Sequence, residues 1–564
     1  MSKKIQILRS KFKKHNIDGY IVPKNDDYFT EYSNINRLKI ISNFSGSAGI
    51  AIILKNKNYL FTDGRYTIQS QLESGKDFKI TNYDEIINCK LFKNLVLGID
   101  PKLFTYNQII KFFKKNNKIK FINKNLIDEI ESKKNINNFQ FFSLNKNIVG
   151  ESSSSKINKI SSYLKKNKSD YLFISAPENV AWILNIRGKD VPNSPIPNSR
   201  LIISKSKKIF LISKIQKVKK IIKEKIINSN ELVDINDFPK KIQKLKGNNF
   251  IIDEKSCSIY FEDIIRSKFR ITKREDPSYL LKAVKNRIEI NNMINAHILD
   301  GVALTKFIYW IKNINNKKIT EVQAQNKLVS FRKLNKAYLY PSFDTIAGSG
   351  ANAAIVHYRA NKKNCKTIKK NDIFLCDSGG QYNYGTTDVT RTICFSKPKQ
   401  YIKDIFTKVL KGHIAVTNTN LKKDNIGKKI DIRARKFLKK SNLDYAHGTG
   451  HGVGFFLNVH EGPHSISKYN EVKIQEGMIL SNEPGYYKKD NFGIRIENLV
   501  FVKKTNKNIF FENLTLVPIE KELINYKILT SLEKDYLFKY HLNVYSKISK
   551  HLNLKERKWL ASFI

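Results

Sequence analysis

The chain of 564 residues has little proline, glycine or cysteine. Pro (13) and Gly (25) are too few for a collagenous or low-complexity chain. Its five cysteines are Cys89, Cys257, Cys365, Cys376 and Cys394, and no two of them form a C-x-x-C pair. This spacing excludes a disulfide framework and a cysteine-type zinc ribbon, and it favours a reducing compartment.

Long hydrophobic runs are also missing. No stretch approaches 18 apolar residues, and no apolar run of signal-peptide length follows Lys3 and Lys4. Hydrophobic residues still make up 41% of the chain, enough for a sizeable core. At roughly 150 residues per domain the length allows two to four domains. We therefore expect a multi-domain cytoplasmic protein without a membrane partner.

Acidic residues are scarce relative to basic ones. Lys and Arg total 102 against 50 Asp and Glu, a formal net charge of +52. Such a surplus suits nucleic-acid binding, but the lysines are scattered along the chain. The densest run, 205–225, predicts a strand and then an amphipathic helix whose apolar face contains Ile215, Val218, Ile221 and Ile222. No RNP, KH or zinc-finger pattern is present, so we interpret these lysines as a solvated face and expect no specific nucleic-acid partner.

Three windows lack Lys and Arg altogether, namely 341–358, 371–390 and 441–467. They hold five of the ten histidines. A nearby ammonium group would compete with a metal ion for the same oxygen ligands. The windows therefore indicate a cation-binding site.

The N-terminal half contains a weak internal repeat. A helix, an apolar strand and a second strand are predicted at 3–19, 20–23 and 49–54, and again at 156–168, 171–174 and 201–204. This order predicts two related α/β domains, joined by the polar stretch 145–155.

A third region opens with a helical pattern from Val284 to Lys312. Of the 25 glycines, 15 fall between Gly348 and Gly493. Glycines among short apolar strands occur where backbones approach one another or a ligand closely. We expect the chemistry in this region.

Two aspartates flank a predicted hairpin there. The strand 373–378 contains Asp377, the strand 386–395 contains Asp388, and the segment 379–385 between them has the composition of a loop. Carboxylates buried together would repel and raise each other's pKa, which predicts a shared metal ion. Taken alone, the pair fits two ordinary turn-flanking aspartates equally well.

Further metal-binding residue types follow along the chain. The motifs are HGTGHGVG (447–454), HEGPH (460–464), SNEPG (481–485) and GIRIEN (493–498). Two Asp, two Glu and one His would match the charge of two divalent cations, and mostly oxygen ligands favour Mn²⁺, with Zn²⁺ or Co²⁺ as substitutes. The segment 460–464 also spells H-E-x-x-H, which binds zinc only on a helix. Gly462 and Pro463 would break that helix, so we reject the zincin reading.

The ordered set Asp377, Asp388, His451, Glu483 and Glu497 resembles the ligands of the dinuclear "pita-bread" peptidases, which include methionine aminopeptidase, prolidase and aminopeptidase P. Aminopeptidase P is the member that the sequence motifs resemble most closely, namely HGTGHGVG…VHEGP, SNEPGYY and GIRIEN. TDGRY (62–66) and NIRGKDV (185–191) resemble its two N-terminal domains, and KAVKN (282–286) and LTLVPI (514–519) the borders of its catalytic domain.

The resemblance implies an α/β (α+β) fold of four segments. These are creatinase-like domains at 1–147 and 148–278, a pita-bread metallopeptidase domain at 279–500, and a C-terminal extension of the catalytic domain at 501–564.

The resemblance also implies roles for individual residues. The five residues of the ordered set would hold two divalent ions, with Glu483 accepting and returning a proton. His357 and His460 would act on the substrate, Arg65 and His447 would contact it, and Arg495 would support the neighbouring carboxylates.

The implied reaction is hydrolysis of the bond between an N-terminal residue and a following proline. The substrates would be peptides with proline in the second position, and the enzyme would be a homodimer. A prolidase-like dipeptidase on the same fold stays open, as does a non-catalytic peptide- or nucleic-acid-binding relative, although the intact ligand set disfavours the latter.

Overall fold

The computed structural model describes residues 2–88, 93–113, 117–131, 138–314 and 318–564, so Cys89 lies outside the described residues. The chain divides into two compact units, Met1–Tyr279 and Leu280–Ile564. Among the described helices, none has the length and apolar character needed to cross a membrane.

The first unit contains two six-stranded sheets, and the strands of the first are β1 Gly19–Pro23, β2 Ile50–Leu54, β3 Asn58–Thr62, β4 Lys79–Asn82, β5 Val96–Ile99 and β6 Lys118–Phe121. The helices around it are α1 Lys3–Ser10, α2 Phe12–His15, α3 Arg37–Ser42, α4 Thr67–Ser74, α5 Asp84–Asn88 and α6 Tyr106–Phe112. The sheet order is β4-β3-β2-β1-β5-β6.

The strands that follow are β7 Phe142–Ser143, β8 Tyr171–Ile174, β9 Ile186–Arg187, β10 Arg200–Ser204, β11 Ile209–Ile212, β12 Leu232–Val233, β13 Asn249–Ile252 and β14 Arg270–Lys273. The helices are α7 Lys146–Val149, α8 Ser153–Lys166, α9 Pro177–Ile183, α10 Ile215–Lys223, α11 Phe238–Lys244, α12 Ile259–Arg266 and α13 Ser278–Ala283, which contains the border between the units. The second sheet has the order β12-β11-β10-β8-β13-β14, and β7 pairs with β9.

The two sheets share one topology. In each, the central strand is antiparallel to one neighbour (β1 with β2, β8 with β10) and parallel to the other (β1 with β5, β8 with β13). The predicted repeat of two related domains is therefore confirmed.

Two details in the first unit differ from the sequence-based expectation. The end of the stretch 145–155, predicted to be a joint, is the start of α8, because the Ser152 side chain accepts a hydrogen bond from the Ser155 amide and the helix begins at Ser153. On α10, Val218 and Ile221 are buried as expected, whereas Ile215 is 49% exposed and Lys217 is buried in an ion pair with Asp190.

The second unit contains the strands β15 Tyr338–Pro341, β16 Ile346–Ser349, β17 Ile373–Ser378, β18 Gly380–Tyr382, β19 Gly385–Thr386, β20 Val389–Cys394, β21 Gly450–Gly452, β22 Glu461–Ile466, β23 Ile479–Asn482, β24 Gly485–Lys488, β25 Phe492–Arg495, β26 Asn498–Lys504 and β27 Ile509–Asn513. Its helices are α14 Arg287–Lys312, α15 Glu321–Lys333, α16 Gln400–Thr417, α17 Gly427–Lys439, α18 Ser531–Ile548 and α19 Leu554–Ala561. The sheets are β15-β18-β19, β16-β17-β20, β22-β21-β23-β26-β27 and β24-β25.

A large buried cluster joins distant elements of this unit. Ile373 of β17, Phe406 of α16 and Val544 of α18 belong to the same buried cluster. The C-terminal helix α18 therefore shares a core with strand β17.

The segment 379–385, interpreted above as a hairpin loop, contains β18 and the first residue of β19. They pair with each other, and β18 also pairs with β15. Because β15 lies about forty residues upstream, the local composition gives no sign of this partner.

Candidate metal centre

The antiparallel pair β17–β20 places the two aspartates on one face. Asp377 lies directly opposite Thr390, and Asp388 stands two residues before Thr390. Since side chains alternate along a strand, Asp377, Asp388 and Thr390 point to the same side. Both aspartates are buried.

The sheet around β23 brings the other residues to this place. Glu483 directly follows β23, Glu497 precedes β26, and His451 is the middle residue of β21. A Cβ at Gly450 would come within 1.9 Å of the Ser481 carbonyl oxygen, so only glycine allows β21 to approach β23 so closely.

Hydrogen bonds fix the orientation of the His451 ring. Its Nδ1 donates to the Gly452 carbonyl over 2.9 Å, which leaves Nε2 free to act as a ligand. Nε2 lies 3.4 Å from Asp388 Oδ2 and 3.5 Å from Glu483 Oε1. One ligand atom each of Asp388, His451 and Glu497 lie within 4.8 Å of one another.

The carboxylates of this cluster carry more negative charge than Arg495 and His451 can compensate. Burial raises the pKa of Asp377 to about 7, with the charges of Asp388 and Glu483 adding to the shift although Arg495 opposes it. Burial and the neighbouring carboxylates also raise the pKa of Glu483 and hold that of Glu497 well above its usual range. Mutual repulsion of this kind is relieved by a bound cation.

A second observation indicates that these residues fit a pair of divalent metal ions. Asp377 Oδ1 is buried and has no hydrogen-bond partner in the part of the chain that the structure describes. A buried carboxylate oxygen without a donor is costly, and a hard cation would satisfy it. Four carboxylates and one imidazole are a donor set for such ions.

Arg495 holds one carboxylate of the cluster and two neighbouring hydroxyl groups by hydrogen bonds. Its NH2 donates to Asp377 Oδ2 at 2.5 Å and its NH1 to the Tyr487 hydroxyl at 2.6 Å. Thr390 Oγ1 accepts from Arg495 Nε at 3.1 Å and donates to Glu497 Oε2 at 2.7 Å. Thr390 thus links the arginine to a second carboxylate of the cluster.

His447 extends this network. Its Nδ1 donates to the Gly448 carbonyl over 2.7 Å, so its Nε2 accepts from the Tyr487 hydroxyl over 2.8 Å. Sequence reasoning missed Tyr487 and Thr390. Tyr487 stands in the quoted SNEPGYY motif, and Thr390 follows Asp388 at the two-residue period of a strand.

The remaining predicted residues lie in different places. The His460 ring stands against that of His451, with centroids 4.3 Å apart and planes at 75°. His357 is half-buried in the segment after the short 3₁₀ helix Gly350–Ala354. Arg65 belongs to the first unit, where its guanidinium donates to both carboxylate oxygens of Asp63.

The structure confirms that H-E-x-x-H is not a helical zinc motif. Glu461–Ile466 is strand β22, and His464 is buried with Nε2 2.9 Å from the Ile479 carbonyl oxygen. The Glu461 carboxylate is buried in ion pairs with Lys282, at 2.8 Å, and Lys285.

Comparisons with known proteins agree with this arrangement. Family models match residues 4–130 and 132–289, both as creatinase/prolidase N-terminal domain, 291–504 as metallopeptidase family M24, and 508–562 as the C-terminal region of that peptidase. The chain is 36% identical to Xaa-Pro aminopeptidase 1 of Dictyostelium discoideum, over 100% of this chain and 96% of that protein. It is 34% identical to a probable Xaa-Pro aminopeptidase P of Laccaria bicolor, over 98% and 91% of the two chains.

A solved structure is similar over the same length. It is that of X-prolyl aminopeptidase from Caenorhabditis elegans, described as a cytosolic enzyme with a di-nuclear active site. The TM-score is 0.92 at 28% identity, and the match covers 99% of this chain and 98% of that one. The chain therefore belongs to the aminopeptidase P family, a branch of metallopeptidase family M24.

Proposed function

We propose that this protein is a metal-dependent Xaa-Pro aminopeptidase, which hydrolyses the bond between an N-terminal residue and a following proline. The observation that carries the proposal is the buried carboxylate cluster around His451, in which Asp377 Oδ1 has no donor among the residues that the structure describes. Family membership supports the substrate class.

Asp377, Asp388, His451, Glu483 and Glu497 would hold two divalent ions. Ions bound there would lower the pKa of a water molecule and make it a nucleophile at neutral pH. Mn²⁺ is the ion we propose, because oxygen donors dominate the set.

The protein's own groups would handle the proton and the developing charge. Glu483 is held by the Ser481 hydroxyl through its Oε1 at 3.0 Å, and we assign it the transfer of the proton to the leaving amine. His460, beside His451, and His357 would donate hydrogen bonds to the carbonyl oxygen as negative charge develops.

Proline in the second position fits a site that takes no hydrogen bond from the scissile amide, because an Xaa-Pro bond has no N–H. We expect longer Xaa-Pro peptides to be cleaved as well as dipeptides. A strict dipeptidase would cleave Xaa-Pro but not Xaa-Pro-Yaa-Yaa.

The test uses the full chain after exhaustive chelation. Cleavage of Xaa-Pro-Yaa-Yaa should be lost with the metal and should return with two equivalents of Mn²⁺, more fully than with Zn²⁺ or Co²⁺. Full activity in a verified metal-free sample would refute the proposal.

Other properties are proposed on the family resemblance. They are a homodimer, a cytoplasmic location, the contact of His447 with substrate, and the four domain boundaries given above. Light scattering of the purified protein tests the first of these. The substrate role of Arg65 stays a prediction.

A further inference from the structure

Glu321 is a fully buried carboxylate at the first position of α15, with 0% exposure. Its Oε1 accepts from the Ser349 amide at 2.7 Å and from Asn352 Nδ2 at 3.0 Å. Its Oε2 accepts from the Tyr358 hydroxyl and from the Lys366 amide, each at 2.8 Å. Within the described residues this carboxylate takes part in no ion pair.

All four donors belong to one segment, 349–366, which we call the His357 loop. Ser349 lies at its start, Lys366 at its end, and Tyr358 directly after His357. The backbone of Glu321 also donates to the Lys366 carbonyl, at 3.0 Å. One side chain thus joins both ends and the middle of the loop.

The His357 loop borders the metal centre on two sides. It leaves β16, whose Ile346 pairs with Asp377. Its 3₁₀ turn lies against β25, since a Cβ at Gly493 would come within 1.8 Å of the Ala353 carbonyl oxygen. Strand β25 ends in Arg495, which holds Asp377.

We infer that Glu321 is a positioning residue that sets the place of His357 at the active site. The inference rests on the proposed function, because it gives His357 its task. A carboxylate buried without a cation destabilises the fold unless hydrogen bonds compensate it. Among the described residues every hydrogen bond to this carboxylate comes from the His357 loop, so the buried side chain requires the loop to be in place. An apolar residue could fill the same volume, but it could not hold the two ends and the middle of the His357 loop together.

The test combines four variants of the full, metal-loaded chain: Glu321→Gln, Tyr358→Phe, His357→Ala and the double variant Glu321→Gln/His357→Ala. Glu520→Gln is the matched control, because Glu520 is also buried but accepts from Lys312, away from the loop. For each we would measure metal stoichiometry, kcat and KM on an Xaa-Pro-Yaa-Yaa peptide, and hydrogen exchange of the Ser349 and Lys366 amides.

Glu321→Gln turns an amide NH₂ toward donors, so the loop should loosen. We expect kcat about 10- to 100-fold lower with little change in KM, as for a catalytic group displaced by about 1 Å, and full metal content. Tyr358→Phe removes one donor, folds with its ring in place, and should lose about three- to tenfold in kcat. Glu520→Gln should keep kcat within about twofold of the unmodified protein, since it shares no partner with the loop.

The double variant decides whether Glu321 acts through His357. If it does, adding Glu321→Gln to His357→Ala should lower kcat no further than about twofold. Additive losses, or a loss of metal in Glu321→Gln alone, would overturn the inference and leave Glu321 a structural residue. If the unmodified protein cleaves no Xaa-Pro peptide, the proposed function fails. Faster exchange of both loop amides in Glu321→Gln would then still show that Glu321 orders the loop, and unchanged exchange would refute this as well.

Discussion

Replacing Thr390 by valine should weaken metal binding, although Thr390 is not a proposed ligand. The substitution preserves the shape of the side chain and removes only the hydroxyl. That hydroxyl donates to Glu497 Oε2 at 2.7 Å and accepts from Arg495 Nε at 3.1 Å. Without it, one carboxylate of the cluster loses a donor and the arginine behind Asp377 loses an acceptor.

The expected losses of stability and of metal affinity follow from these two hydrogen bonds. A hydrogen bond to a charged group contributes about 1.5–3 kcal/mol, and the two share a hydroxyl, so the free energy of unfolding should fall by about 2–4 kcal/mol. Loss of a group that orients metal ligands typically costs about 10- to 100-fold in metal affinity. Competition with a calibrated Mn²⁺ chelator at fixed pH measures that affinity directly.

The same strand offers a matched control in Thr392. This residue is equally buried, and its hydroxyl also makes two hydrogen bonds, but both go to the backbone of Arg495, at 2.9 and 3.1 Å. Thr392→Val should cost about 1–3 kcal/mol of stability and should change metal affinity little. Equal losses of affinity in both variants, or none in Thr390→Val, would refute the reasoning.

Three further predictions concern the histidines, pH and charge. His451→Ala should lose metal and activity together, His460→Ala should keep metal but lose about 10²-fold in turnover, and His464→Ala should keep its metal. Metal analysis and turnover of the three purified variants test this, and loss of metal from His464→Ala alone would contradict it. The metal-free protein should become less stable as pH rises. Burial and the neighbouring carboxylates raise the pKa of Asp377 from 3.8 to about 7, so the folded state binds this proton more tightly than the unfolded state does. The stability that this proton contributes is lost as pH rises between these two values. Asp388 and Glu483 raise the pKa of His451 to about 9 against the effect of burial, so the stability that its proton contributes is lost at still higher pH. A Tm series on metal-free protein checks the slope, and a flat or rising Tm between about pH 5 and 9 would contradict it. Binding of duplex DNA should be independent of sequence and should fall by roughly 10³-fold between about 50 and 200 mM salt. Tight binding to one sequence at physiological salt would show that the basic surface has a specific partner.

Helices and strands whose ends are set by residues nearby in the sequence could be predicted. The strands at 171–174 and 373–378 have the predicted bounds, because each contains a short apolar run flanked by polar residues. Helix α14 begins at Arg287 rather than at Val284, because the Asn286 side chain caps it and the Asn286 backbone amide donates to the Glu289 carboxylate in return.

Contacts between distant segments could not be predicted in this way. The sequence of α15 carries the two residues of a capping box, Thr320 and Gln323, and the structure contains this box. It gives no sign that the next residue, Glu321, binds donors 28 to 45 positions away. The candidate site could be named from the order of its residues along the chain, and their roles as ligands stay a prediction.

The pairing of Glu461 with Lys282 and Lys285 limits where the chain can be cut. Both lysines precede helix α14, so a fragment that begins at Arg287 would discard them and keep the glutamate. The Glu461 carboxylate, which follows His460 in the chain, would then be buried without a cation, and the fragment would lose about 3–5 kcal/mol of stability. A catalytic fragment made for crystallography or engineering should therefore start before Lys282, although the helix itself begins five residues later.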